Sequence, residues 1–129
     1  MENKELQQAQ ELAKQIKSVQ SVSYKGHTYS FALTTRALRM VENITKKTTA
    51  KLLDAIASQE LTMDELIVVM VQGFSAPLIK AGQDASAITE ALCEEMLDEH
   101  PGLEVQVAKT FAEACTRKAD LAAAASPNR

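Results

Sequence analysis

Tryptophan is absent from this 129-residue chain, and aromatic residues make up only 4% of it. A core short of large rings must be built from Leu, Ile, Val, Met and Ala, which suits helices packed on helices. Four glycines and three prolines are too few for the many turns of a β-sandwich or barrel. No long hydrophobic run exists either. The longest, Leu66-Ile67-Val68-Val69-Met70-Val71, is far short of the roughly 20 residues that span a bilayer, so no membrane role is expected. Behind Met1-Glu2-Asn3-Lys4-Glu5 there is no apolar stretch of the secretory type. The two cysteines, Cys93 and Cys115, lack a CxxC neighbour and read as small, buried, reduced side chains. The expected setting is a cytoplasm.

Hydrophobic residues account for 46% of the chain and the net charge is −3. That composition fits one soluble domain with a single core. Charge is unevenly spread: residues 1–60 hold nine Lys/Arg against six Asp/Glu, and residues 61–129 hold five against eleven. An acidic chain is a poor electrostatic match for DNA or an anionic membrane. The asymmetry either orients the protein on a partner or a second copy, or has no consequence.

The periodicity predicts a mainly α fold with one β-hairpin. Residues 2–19 place Leu6, Ala9, Ala13, Ile16 and Val19 at a 3–4 spacing, a thin stripe on an amphipathic N-terminal helix within 1–20. Alternation then takes over in Ser21-Val22-Ser23-Tyr24 and again in His27 to Leu33, with Tyr29, Phe31 and Leu33 on one face. Gly26 supplies the positive φ of a tight turn, so residues 21–33 form the only predicted hairpin, its aromatic face packed on helices.

Everything after Thr34 reads as helix. Thr34 or Thr35 caps a helix to about Ile44 that buries Leu38, Val41 and Ile44. Thr48 or Thr49 caps another with Leu52, Leu53 and Ile56 inward. Thr62-Met63-Asp64-Glu65 is a capping box, with Leu61 and Leu66 at staple spacing, and the helix it opens should be central. Pro77 predicts a kink or restart near Ser75, and Gly82 suits a C-terminal cap. A helix from Asp84 or Ser86 to His100 buries Ile88, Leu92, Met96 and Cys93. Pro101-Gly102 ends it, and a last helix from Leu103 carries Val107, Phe111 and Ala114 or Cys115. Residues 121–129 read as an alanine-rich mobile tail.

Catalytic chemistry is hard to find. His27 and His100 form no metal-ligand spacing, and His100 at a helix end suits the last carbonyls there. Cys93 faces the apolar side without an activating cation. Nucleophile-elbow, phosphate-loop and dinucleotide patterns are lacking. No enzyme, metal, cofactor or small-molecule substrate is therefore expected. Two charge clusters stand out. Glu90, Glu94 and Asp98 form an i,i+4 stripe with Glu95 and Glu99 beside it, and Arg36, Arg39, Lys46, Lys47 and Lys51 flank a helix junction. Each is most simply a solvated face. The sharper alternatives are an acidic docking strip for a basic partner and a helix-turn-helix for DNA, the latter weakened by a junction without glycine.

One pattern spans several elements. Gly26-His27-Thr28-Tyr29-Ser30-Phe31 leads into Ala37-Leu38-Arg39-Met40-Val41-Glu42, then a threonine-rich break, Leu52-Leu53, and Leu61-Thr62-Met63-Asp64-Glu65-Leu66. Over residues 22–115 this resembles the small tail assembly chaperones of long-tailed bacteriophages and related gene-transfer-agent tail proteins. Their pattern runs from a "G-x-x-Y-x-L/F" strand to an "A-L-x-x-I/V-E" helix. The resemblance implies a protein of the host cytoplasm, lost from the finished virion, that binds the tape measure protein, keeps it soluble and helps recruit the major tail tube protein. It also leaves room for self-association. Candidate contact residues are Glu90, Glu94 and Asp98, with Arg36, Arg39 and Lys47 as the competing set. A nucleic-acid-binding regulator and a structural component kept in the virion are the alternative readings.

Overall fold

The computed structural model describes residues 19–124. Of the predicted helix over 2–19, residues 2–18 lie outside the described residues, as does the end of the predicted tail, 125–129. Within them the order is β1 (Ser21–Tyr24), β2 (His27–Ser30), α1 (Thr35–Thr45), α2 (Thr49–Ala57), α3 (Met63–Lys80), α4 (Glu90–Glu99) and α5 (Leu103–Ala124). The fold is mainly helical with one antiparallel hairpin, as the periodicity predicts.

The hairpin register pairs Tyr24 with His27 and Val22 with Tyr29. Lys25 and Gly26 both take left-handed φ values, 50° and 76°, the geometry of the two-residue turn that matches strand twist. Val22 and Tyr24 face inward, while Ser23 and Thr28 meet through their hydroxyls at 3.3 Å on the open side. The strands are shorter than predicted. Phe31 N–H still donates to Gln20 C=O at 2.9 Å, but Ala32 N–H turns away and donates to the Gly73 carbonyl on α3 at 3.0 Å.

That last bond explains a correction. Proline at 77 was expected to break or restart the helix near Ser75, yet α3 runs through without a break. Pro77 has no N–H, so the carbonyl four residues earlier, Gly73, loses its helical partner. Ala32, in the segment that follows the hairpin, supplies the missing donor. Gly73 also lacks a side chain where the Phe31 ring lies, and a Cβ there would sit 2.2 Å from Phe31 Cε2. Glycine and proline together turn one turn of α3 into a seat for the segment after the hairpin. Phe31 and Tyr29 then meet Phe74 edge-on, at centroid distances of 4.9 and 6.4 Å.

α3 is the hub, packed on α1, α4, α5 and β2, and its Val69 and Met70 are fully buried. Thr62 opens it with both halves of a capping box: Glu65 N–H donates to Thr62 Oγ1 at 3.1 Å, and Thr62 N–H to Glu65 Oε1 at 3.0 Å. At its end Gln83 N–H donates to Leu78 C=O and Gly82 N–H, at φ 73°, to Ile79 C=O, a Schellman closure.

Four further expectations are revised. Ile44 is 46% exposed rather than buried. Two successive three-residue steps from Leu38 rotate a side chain about 120° off the inward face, so Val41 is the last core position of α1. The helix expected from Asp84 or Ser86 begins at Glu90, capped by Thr89. Asp84 instead holds a turn, accepting from Ser86 N–H at 3.0 Å and from Ser86 Oγ at 2.8 Å, a local bond that competes with helix formation. His100 does not serve the carbonyls of its own helix: its Nε2 bonds the Ser23 carbonyl of β1 at 2.8 Å. Residues 121–124, read as tail, belong to α5, in keeping with alanine as the strongest helix former.

Candidate functional site

The charged residues singled out from the sequence do not assemble into one site. Glu90, Glu94 and Asp98 are all exposed on α4. Their neighbour Glu95 is used internally, accepting from Tyr24 Oη at 2.9 Å and fastening the hairpin to α4. On the basic side Arg36, Arg39 and Lys51 are exposed. Lys46 takes a left-handed φ of 59° where α1 ends, its N–H donating to Glu42 C=O. Lys47 is committed: its Nζ lies 2.6 Å from Glu65 Oε2. Lys47 and then the Thr62 N–H hold the buried Glu65 carboxyl below its usual range. Its cation thus belongs to the capping box of α3 and only in part to solvent.

Nucleophilic chemistry finds no support at Cys93. Burial first, and then Glu90 and Glu94, push its thiol up to about 12, so it carries no thiolate at neutral pH. Among the described residues no cluster of His, Cys, Asp or Glu could hold a metal ion, and no helix is long and apolar enough to cross a membrane. A cleft of about 590 Å³ runs between β2 and the α3–α4 connection, with His27, Tyr29, Pro77 and Asp84 in its walls. Asp84 is occupied there by Ser86, whose N–H and hydroxyl lower its pKa.

The feature that the sequence did not disclose is an apolar groove of about 630 Å³ where three helix ends meet. Ile56 comes from the end of α2 and Gln59 from the turn just after it. Leu61, Thr62, Met63 and Leu66 come from the start of α3, and Glu104, Val105, Ala108 and Lys109 from the first turns of α5. Each capping decision positions a wall. The Thr62–Glu65 box fixes where α3 begins and so places Met63 on the rim. Gly102, at φ 85°, allows the turn that starts α5 and brings Val105 opposite. Met63 is 57% exposed and Val105 47%, so both present apolar surface to solvent.

Four of the ten lining residues are polar: Gln59, Thr62, Glu104 and Lys109. The Thr62 hydroxyl accepts from Glu65 N–H, and Lys109 also has an interaction partner. An open, largely apolar trough rimmed by a flexible Met suits the stripe of an amphipathic helix.

By residue type Met63 is as good a core residue as Met40, Met70 or Met96, so the sequence alone does not single out the groove. Met70 and Met96 are fully buried, but Met63 is the first residue of α3 and overhangs solvent. The signal was present in α5. Leu103, Val107 and Phe111 form a stripe of four-residue steps, and Val105 lies about 120–160° off it, an apolar residue with no core to face.

No family model matches the chain, and neither a curated protein nor a solved structure is significantly similar to it.

Proposed function

We propose that this protein is a non-catalytic assembly chaperone that shelters an apolar helical stretch of another protein, in the manner of the phage tail chaperones it resembles. The client in that reading is the tape measure protein, held soluble until tail tube subunits surround it. The observation that carries the proposal is the groove formed by Ile56, Leu61, Met63, Leu66, Val105 and Ala108, with Met63 and Val105 exposed at its rim. A tape measure protein is a long helical chain with apolar stripes, and such a stripe is what a trough of this kind covers. The regulator reading loses ground because Lys47, central to the basic pair of helices, is tied to Glu65.

The test is co-expression with a cognate tape measure protein. Wild type should raise the soluble yield of that protein and co-purify with it. The double variant Met63→Gln, Val105→Gln should lose both effects and keep its helical circular dichroism, because both side chains are already exposed. Full retention of client binding by that variant would remove the groove from the reading. Absence of binding by wild type, together with its presence in mature tails, would favour a structural tail component.

A further inference from the structure

We infer that the outer edge of β2 is a docking site for an extended segment of another protein, added to the hairpin as a third, antiparallel strand with apolar side chains at every second position. This site is separate from the groove between the helix ends and does not rest on its reading. In an antiparallel pair, successive residues turn their N–H and C=O alternately toward the partner strand and away from it. Phe31 N–H donates to Gln20 C=O. With Val22 opposite Tyr29 and Tyr24 opposite His27, these three pairs exchange the ladder bonds. Ser23 on β1, and Thr28 and Ser30 on β2, therefore point their main-chain groups outward.

The two outer edges meet different surroundings. On β1 the Ser23 carbonyl accepts from His100 Nε2 at 2.8 Å, so the end of α4 covers that edge. On the β2 side the outward Ala32 N–H, two residues past Ser30, donates to the Gly73 carbonyl, which sets this edge against α3. Thr28 and Ser30 have no further main-chain partner among the described residues. They line the cleft of about 590 Å³ instead. Their outward donors and acceptors repeat every second residue, at about 6.6 Å. An extended backbone presents the complementary groups at that repeat, whereas a helix has already used its own internally.

The walls add the side-chain requirement. The rings of Tyr29 and Phe74 meet edge-on at 6.4 Å, and Pro77, Leu78 and Ile88 extend this apolar surface along the cleft. The other face of the hairpin carries the Thr28 hydroxyl and is exposed. A third strand thus lays alternate side chains on apolar surface and the rest in water. Asp84, bound by the Ser86 N–H and hydroxyl, steadies the α3–α4 connection that forms the far wall. A second copy would bring its own β1 behind β2, about 4.8 Å further out, on the side where that connection stands. A single strand is the better fit.

The experiment uses the full chain and a fluorescein-labelled peptide of about seven residues, in which Val or Tyr alternates with Thr or Lys. Fluorescence anisotropy should show saturable binding. In antiparallel pairing, the peptide residues whose N–H points at β2 carry their side chains on the Thr28 face, so they are the polar ones. N-methylation of two polar residues should weaken binding by about tenfold or more, and of two apolar residues by no more than about twofold. Thr28→Pro removes one outward N–H and no ladder bond, a change that edge strands tolerate. It should weaken the unmethylated peptide by about fivefold. The methylated peptides probe the same edge on the unaltered protein. Equal affinity of all three peptides, or no binding by any, would overturn strand addition. Loss on methylation of the apolar residues alone would overturn the antiparallel direction. Binding abolished by Met63→Gln, Val105→Gln but indifferent to methylation would move the peptide to the groove and overturn the edge site. Light scattering that shows dimers, dissociated by Thr28→Pro, would give the edge to a second copy.

Discussion

Replacing Gly73 by Ala adds one methyl group to the middle of a helix, a change that ordinarily stabilises by about 1 kcal/mol through helix propensity. Here the opposite is expected. The new Cβ would stand 2.2, 2.5 and 2.7 Å from three ring atoms of Phe31. Carbon atoms rest at about 3.5–4.0 Å, so the ring would have to retreat by at least ~1.3 Å. Overpacking of this kind costs about 1–3 kcal/mol. A displaced Phe31 also weakens its edge-on contact with Phe74, at 4.9 Å, an arrangement contributing about 0.5–1.5 kcal/mol. The neighbouring Ala32–Gly73 hydrogen bond is loosened too, at about 1 kcal/mol. Against the propensity gain, the net is a loss of about 3 kcal/mol, or ~10 °C in Tm for a domain of this size. Urea unfolding followed by circular dichroism should show the midpoint falling with an unchanged slope. Phe31→Ala makes room, so in its background Gly73→Ala should cost far less, and a double-mutant cycle should return a strong coupling. A Gly73→Ala protein as stable as wild type would show that Phe31 does not occupy the helix surface at this glycine.

Two further outcomes follow from the titrating groups. Glu65→Gln keeps a capping acceptor but loses the Lys47 ion pair, so it should destabilise by up to about 1 kcal/mol at neutral pH. Because the folded carboxyl lies below its usual range, this stabilisation is full above the unfolded pKa and is lost as pH falls through the folded one. The gap between wild type and Glu65→Gln should therefore close on acidification, and a constant gap would contradict the ion pair's role. Cys93, buried and with its thiol pushed up to about 12, should resist iodoacetamide at mildly alkaline pH until the protein is unfolded. Rapid labelling of the native protein at this position, read by peptide mass mapping, would contradict that environment.

Local chemistry made much of the fold legible. Threonines at 34, 48 and 62 each accept the hydrogen bond that opens a helix, and caps of this kind depend on only a few neighbouring residues. The hairpin was legible for the same reason, since alternation and a glycine turn are short-range signals. What failed was non-local. Pro77 reads as a breaker until Ala32 is known to satisfy Gly73 from 41 positions earlier in the chain. Asp84 and Thr89 are both good N-caps by type, and only the Ser86 bonds show which of them holds a turn. Met63 and Val105 look like any core residues until three helix ends are brought together.

The same division separates the two lines of argument about function. Every residue that carries the family resemblance at its start serves the fold. Gly26 makes the turn, Tyr29 and Phe31 meet Phe74, and Ala37, Leu38 and Val41 are buried. Glu42 accepts from Thr49 N–H at 2.8 Å, where α2 begins. Such a pattern can persist wherever this packing does, so it speaks for architecture before it speaks for a client. The groove draws on the capping box at 62–65 but takes its exposed surface from Met63 and Val105, outside those fold-bearing positions. Substitutions at 63 and 105 therefore probe binding while leaving the strand and α1 pattern whole, and substitutions at 31 or 73 probe the fold while leaving the groove's own residues whole. If both sets abolished client binding but only the second lowered stability, binding would be assigned to the groove and the strand and α1 pattern to the scaffold that positions it.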